Sequence, residues 1–419
     1  MSRFRIFLLL MIAAAFGLHP SIHAQDWPQF LGPNRDLKTT STNLNLEWPG
    51  GEPTVLWQKK VGTGWSGPVV ADGKLIVHDR ADNESVVTCL DAITGEPKWE
   101  YRYPTPYRDQ FGFDNGPRAT PTISGDHVYT FGAEGRLSCL NFADGSLVWS
   151  IDTKKEFKAD NGFFGLACSP LVQDGRVLMQ IGGANGNGLM AFDAKTGEVR
   201  WNTTSHEAGY SSPVSGRFNN RNYALFFTHD GLTAVDPASG FVEFEFPWRA
   251  KNNNSVNAAS PVIMGDQIFL SASYGVGAIV LRVTDTGVNP FWRGDEKLSN
   301  HYATSIFHNQ ILFGFHGRVD TGGPTDLRAV DARNGTVLWQ LDVIDPGTLM
   351  LVNDTLLVLT QDGKLYAGAA SPTGFKPVVQ AQILGKDTRA YPAFANEIYY
   401  ARDKGKLVAL NLRKDGKQP

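Results

Sequence analysis

The chain has 419 residues, 42% of them hydrophobic, with 44 glycines, 10 tryptophans and a formal net charge of -3. Such a sequence has enough apolar residues to build a core, so it is not a disordered tail. Its near-balanced charge gives no electrostatic pull toward nucleic acid or anionic lipid.

Arg3 and Arg5 precede an apolar run from Ile6 to Gly17, and small residues lead to Gln25. This is the pattern of a secretory signal peptide over residues 1–24. No later run reaches the roughly 18–20 apolar residues of a membrane-crossing helix, so no transmembrane segment is expected. The mature chain is expected to be a monomer in the periplasm or outside the cell. In that oxidising setting the three cysteines, Cys89, Cys139 and Cys168, are an odd number, so at least one stays unpaired within the chain. Residues 25–50 read as an N-terminal arm.

From there a repeat takes over. Cys89-Leu-Asp91-Ala-Ile-Thr-Gly95-Glu-Pro-Lys-Trp99 returns as Cys139-Leu-Asn141-Phe-Ala-Asp-Gly145-Ser-Leu-Val-Trp149. It returns again as a run with Asp193, Gly197 and Trp201, then as one with Asp236, Gly240 and Phe244 in place of Trp, and later with Asp331, Gly335 and Trp339. Weaker copies end at Trp292 and Gly374. A period of roughly 43–52 residues belongs to propeller blades, not to helical solenoids. Upstream of each copy a short β run opens, near Pro68, Pro121, Pro170, Pro213, Pro261, Thr304, Leu349 and Pro392. A turn such as Asp72-Gly73 and an alternating strand such as Leu75–His78 follow. Each unit therefore predicts four short antiparallel strands, A to D from the axis outward. The Asp side chain accepts backbone N–H groups, the Gly takes a positive φ, and the Trp packs on the next blade.

Eight A strands give an all-β fold, an eight-bladed β-propeller of four-stranded antiparallel blades over 51–412, with a polar tail over 413–419. The last blade stops after strand C, and Val55-Leu-Trp57-Gln58 lacks its own A–B–C set. That segment is expected to supply the missing strand, closing the ring and removing an open sheet edge. Cys89 and Cys139 occupy matching positions in successive blades. At about 11 Å apart they stand beyond disulfide reach and read as packing residues.

The Leu-Asp-Ala-x-Thr-Gly-x-x-x-Trp unit resembles the pyrroloquinoline quinone (PQQ) repeat family over roughly residues 50–412. The resemblance implies one of two classes. Quinoprotein dehydrogenases hold PQQ and Ca²⁺ in a central funnel, whereas non-catalytic scaffolds include the outer-membrane β-barrel assembly propeller BamB. The repeat residues build blades and do not separate the two.

The funnel mouth should be lined by loops entering strand A and by B–C loops. These offer Trp65, Arg118, Tyr210, Asn257, His301, His316 and Arg318 as candidate ligand-binding residues, able to meet a planar or anionic ligand. The alternative role for the Gly-Tyr-Ser-Ser-Pro type of loop is an inner hydrogen-bonded ring that positions strand A. The carboxylates near the mouth (Asp114, Glu134, Asp230, Asp320) have no ligand spacing and are expected to be solvated. The nine His show no metal spacing, and Gly182–Gly188 reads as a wide B–C hairpin. The adjacent cysteine pair that the resemblance implies beneath PQQ is missing, as is a Cys-x-x-Cys-His haem motif. The expectation is therefore a non-catalytic scaffold engaging a protein or polymer ligand, with no metal or cofactor. A PQQ- and Ca-dependent oxidoreductase of alcohols or sugars is the alternative.

Overall fold

A computed structural model describes residues 26–160, 162–252 and 256–414. The expected signal peptide and residues 415–419 of the expected tail lie outside them. Eight sheets surround a common axis. Blade 1 shows the plan: Val69–Ala71, Lys74–Ala81, Glu84–Asp91 and Pro97–Pro104, each antiparallel to the next. Blades 2 to 7 span 122–152, 171–203, 214–247, 262–294, 306–341 and 347–382, and blade 8 runs over 393–411. Only one α-helix, Thr153–Phe157, is present among the described residues, beside a 3-10 turn at Pro49–Gly51, and no helix there is long and apolar enough to cross a membrane.

Local chemistry sets the strand ends. Five of the A–B hairpins turn on residue pairs that both take positive φ, such as Asp72 and Gly73 (47° and 70°) or Asp174 and Gly175 (49° and 72°). Such two-residue turns match the right-handed twist of the strands they join. At the C–D turns Asp91 Oδ1 accepts the Ile93 and Thr94 amides, both at 3.0 Å, and Gly95 takes φ 72°. Asp193 and Asp236 repeat the arrangement.

The repeat has a second function that its linear form hides. Five outer Trp lie on the turn glycine of the following blade: Trp57 on Gly95, Trp99 on Gly145, Trp149 on Gly197, Trp201 on Gly240 and Trp292 on Gly335, whereas Trp339 leaves Gly374 uncovered and keeps only the bond to the Ser371 carbonyl. A Cβ on Gly145 would stand 2.4 Å from the Trp99 ring. The indole N–H of Trp99 donates to the Phe142 carbonyl at 3.1 Å, and Trp149 and Trp201 bond Ala194 and Pro237 in the same way. The Asp-Gly of one copy and the Trp of the preceding one thus form a single joint between blades.

Thr54–Lys60 pairs antiparallel with Lys406–Asn411, so the N-terminal strand is the outer strand of blade 8 and closes the ring. The three cysteines are buried and unpaired. The arm does more than lead to this strand. Trp27 exchanges backbone bonds with Val70 of blade 1, Pro28 accepts from Ile123 of blade 2, and Lys38–Thr39 adds a parallel strand to Gly347–Val352. Blade 7 therefore has five strands, not the four expected. Trp27, Leu31 and Leu37 are fully buried, so the arm fills the axial channel.

Candidate functional site

The entry loops reach the axis at Ser or Thr residues that bond from blade to blade. Gly67 N donates to Thr120 Oγ1, Thr120 N to Ser169 Oγ, Ser169 N to Ser212 Oγ, Ser212 N to Ser260 Oγ and Ser260 N to Thr304 Oγ1, all at 2.9–3.2 Å. Thr304 N then donates to the Tyr391 hydroxyl of blade 8. This is the inner hydrogen-bonded ring that the loop chemistry implies, and it fixes the start of the A strands of every blade but blade 7.

Above the ring is a cavity of ≈ 430 Å³. Its walls come from the entry loops of seven blades, chiefly through Trp65, Phe113 with Arg118, Phe164, Tyr210, Val256, His301 with Tyr302, and Arg389 with Tyr391. Val319 and Asp320 enter from the B–C loop of blade 6, and Phe30 of the arm also lines it.

Four ionisable groups line this cavity, and three are compensated. Arg118 pairs with buried Asp109 at 2.9 Å, donates to the Asp114 carbonyl at 2.8 Å, and lies over Trp65 and Tyr107 at 5.0 and 5.2 Å. Asp320 binds the Arg318 guanidinium through both oxygens. Burial works against its charge, yet Arg318 holds its pKa below the usual carboxylate value. His301 meets the Tyr274 hydroxyl at 3.2 Å, and burial pushes its pKa down to about 4, so it is neutral at pH 7. Arg389 is the exception. Its guanidinium lies over Trp65 at 4.9 Å and Tyr302 at 5.8 Å, with no hydrogen bond or carboxylate partner among the described residues. The Trp65 Nε1 is likewise buried without an acceptor.

Of the seven candidates, the structure gathers Trp65, Arg118, Tyr210 and His301 around the cavity. Tyr210 uses its hydroxyl to accept the Phe163 and Phe164 amides, which hold the neighbouring loop. Asn257 is buried and does not line the cavity, its amide donating to the Thr228 and Trp248 carbonyls at 2.8 and 3.1 Å while its Oδ1 is buried without a donor. His316 accepts the Ser299 amide beside the cavity, and Arg318 reaches it only through Asp320. Asn254 and Ser255 lie outside the described residues. Two of the mouth carboxylates depart from the expected solvation. Asp114 is buried, its Oδ1 accepting the Gly116 amide, and Glu134 accepts from Thr105 while its other oxygen is buried. Both tie down the long loop before blade 2.

Among the described residues no group of three His, Cys, Asp or Glu is placed to hold a metal ion. Gly182–Gly188 is the B–C hairpin of blade 3, between Arg176–Gln180 and Leu189–Asp193.

Histidine burial gives the protein an acid-sensitive stability. His301 titrates in the fold near 4 and His78 near 3, both because burial disfavours the charged form. The unfolded chain takes up these protons near pH 6.5. Below that pH it binds more protons than the native state, so stability should fall as pH drops from about 6.5 toward 4. The slope is about 1.4 kcal/mol per pH unit for each histidine. Denaturant titrations at pH 7, 5.5 and 4.5 should show this decline, and His301→Gln should flatten it.

Comparison with known proteins places this geometry in a wider group. The family model described as outer membrane protein assembly factor BamB matches residues 84–316 and 324–418. The dehydrogenase subunit of a quinone alcohol dehydrogenase from Gluconacetobacter polyoxogenes is 32% identical over 148 residues, 32% of this chain and 19% of that protein. BamB of Yersinia pestis is 27% identical over 150 residues, 35% of each chain. The matches thus span about a fifth to a third of these relatives. Among solved structures, BamB from Moraxella catarrhalis superposes with a TM-score of 0.61 at 15% identity, over 85% of this chain and 96% of its own. Quinohemoprotein alcohol dehydrogenase from Comamonas testosteroni gives 0.65 at 16%, over 94% and 81%. At such identities the likeness concerns the fold alone.

Proposed function

Since the chain belongs to the family described as outer membrane protein assembly factor BamB, we propose that it is an exported, non-catalytic binding propeller that engages a protein or polymer through its funnel face. The name of that family makes a polypeptide the first occupant to consider.

The charge inventory of the cavity carries this reading. PQQ is a tricarboxylate, and in the dehydrogenases that the repeat resembles it works beside Ca²⁺. Here the cavity lining offers one uncompensated cation, Arg389, and its one carboxylate, Asp320, is held by Arg318. A tricarboxylate would leave two charges unpaired between aromatic walls, which is costly. A hard cation would lack the several oxygen ligands it requires. The residues present do not fit PQQ with Ca²⁺.

The alternative, a PQQ-dependent oxidoreductase, draws on the aromatic walls and is tested directly. Purified protein is titrated with PQQ and Ca²⁺ while tryptophan fluorescence is followed, then assayed for dye reduction with ethanol and glucose. At roughly 100 µM cofactor, enough to saturate a micromolar site, neither quenching nor turnover is expected. Saturable binding with turnover would replace the binding-propeller reading by the enzyme.

A further inference from the structure

We propose that the funnel cavity takes an aromatic group bearing a single carboxylate, paired with Arg389 and received through a phenylalanine shelf at the rim. This rests on the binding-propeller reading and names the ligand chemistry of the same site.

The first support is the unpaired guanidinium. An arginine among aromatic rings, without a carboxylate or carbonyl, keeps its donors for something else, and its planar fork matches a carboxylate with two parallel bonds. The Trp65 indole N–H, buried without an acceptor beside it, is a further donor of the kind that a bound group satisfies. The second support is the balance of charge. With Arg118 matched by Asp109, Asp320 by Arg318, and His301 neutral, the lining carries a net single positive charge. A monoanion neutralises it; a phosphate dianion or a polycarboxylate overshoots in surroundings that cannot solvate the excess.

The third support comes from apolar surface. Phe111 and Phe113 are 53% and 43% exposed, unusual for such large side chains. Their rings stand 6.3 Å apart and contact Phe164 at 5.4 and 6.0 Å, and Phe164 contacts Tyr210 at 5.6 Å. The result is a continuous aromatic path from solvent into the cavity, since Phe113, Phe164 and Tyr210 all line it. Ring-to-ring contact along this path favours an aryl ligand over an aliphatic acid. A cavity of ≈ 430 Å³ is within the range of small-ligand sites.

The test uses the mature full-length protein and calorimetric titration with two matched pairs. One pair is 3-phenylpropionate and its primary amide. The other is a short peptide ending in phenylalanine, with its terminus free or amidated. In at least one pair the acid is expected to bind about tenfold or more tightly than the amide, the worth of a partly desolvated charge pair. Arg389→Gln should erase that preference with little change in Tm, because Arg389 holds no protein group by a hydrogen bond. Phe113→Ser should weaken acid and amide alike. Preference in both pairs means that a free aryl acid suffices; preference in the peptide pair alone means that the ligand is a chain terminus. Equal affinity of acid and amide in both pairs, no binding in either, or a preference that survives Arg389→Gln, overturns the proposal. Equal binding of the two peptides would still leave a binding propeller, whereas PQQ-driven dye reduction would remove that reading without touching the acid-to-amide comparison.

Discussion

Replacing Trp57 by alanine is expected to cost about 3–5 kcal/mol, the range for truncating a large buried aromatic. Trp57 is 8% exposed and sits on the strand that the N-terminal segment lends to blade 8. Its ring covers Gly95 of blade 1, and its Nε1 donates to the Ala92 carbonyl at 3.0 Å. That carbonyl also accepts the Tyr400 hydroxyl, also at 3.0 Å, and the two rings stand 6.1 Å apart. Trp99 makes the same joint, but between blades that the chain already connects. At Trp57 the joint unites the two ends of the ring, so failure there frees both. Guanidinium unfolding followed by tryptophan fluorescence and far-ultraviolet dichroism measures the loss. Trp57→Phe, which keeps one aromatic ring but removes the pyrrole ring and its hydrogen bond, should cost about 2 kcal/mol. A Trp57→Ala loss under about 1 kcal/mol would show that the ring is held elsewhere.

Joints of this kind were legible because they are built from residues that recur. Asp91, Gly95 and Trp99 and their copies mark every turn that needs a carboxylate acceptor, a positive φ and a flat apolar cover. The missing fourth strand of blade 8 could be assigned to Val55–Gln58 by elimination. The Ser-Pro and Thr-Pro openings likewise carried the inner ring. The site was less legible because its parts do not repeat. Arg389, Phe113 and Phe164 stand in entry loops of unequal length, and nothing in their spacing says that they converge on one axis. Asn257 shows a second limit on such a reading. A polar amide in an entry loop reads as a ligand group, yet a buried loop must first satisfy its own carbonyls, and Asn257 is spent on Thr228 and Trp248. The bracing roles of Trp27 and Arg35 were not legible, since their partners lie in several distant blades.

Arg35→Met is expected to be comparably damaging, about 3–5 kcal/mol, although it removes no large apolar surface. Arg35 is 4% exposed in the axial channel, and among the described residues no carboxylate pairs with it. Its charge is met by backbone instead: the Pro170 carbonyl, the Pro213 carbonyl at 2.8 Å and the Ser169 carbonyl at 3.4 Å, with Gln29 Oε1 accepting from Nε at 2.8 Å. These carbonyls begin the inner strands of blades 3 and 4, and Thr122 of blade 2 lies within 3.5 Å. Burial pushes the Arg35 pKa down only to about 10, so the cation persists through the neutral range. Methionine would fill much of the space but leave the Pro213 carbonyl without its donor and the Pro170 carbonyl with Thr122 alone. Lysine would keep the charge, yet one ammonium cannot reach acceptors on three blades, so Arg35→Lys should fall between Met and the native residue. The damage should also appear first at a particular place. The Ser/Thr ring passes from Thr304 of blade 6 straight to Tyr391 of blade 8, and the inner strand of blade 7 is held by Lys38–Thr39 instead. Hydrogen exchange in Arg35→Met should therefore rise earliest in Gly347–Val352, while the ring-bonded strands of blades 2 to 5 exchange later. Uniform acceleration across all blades would mean that the arm occupies the channel without bracing blade 7.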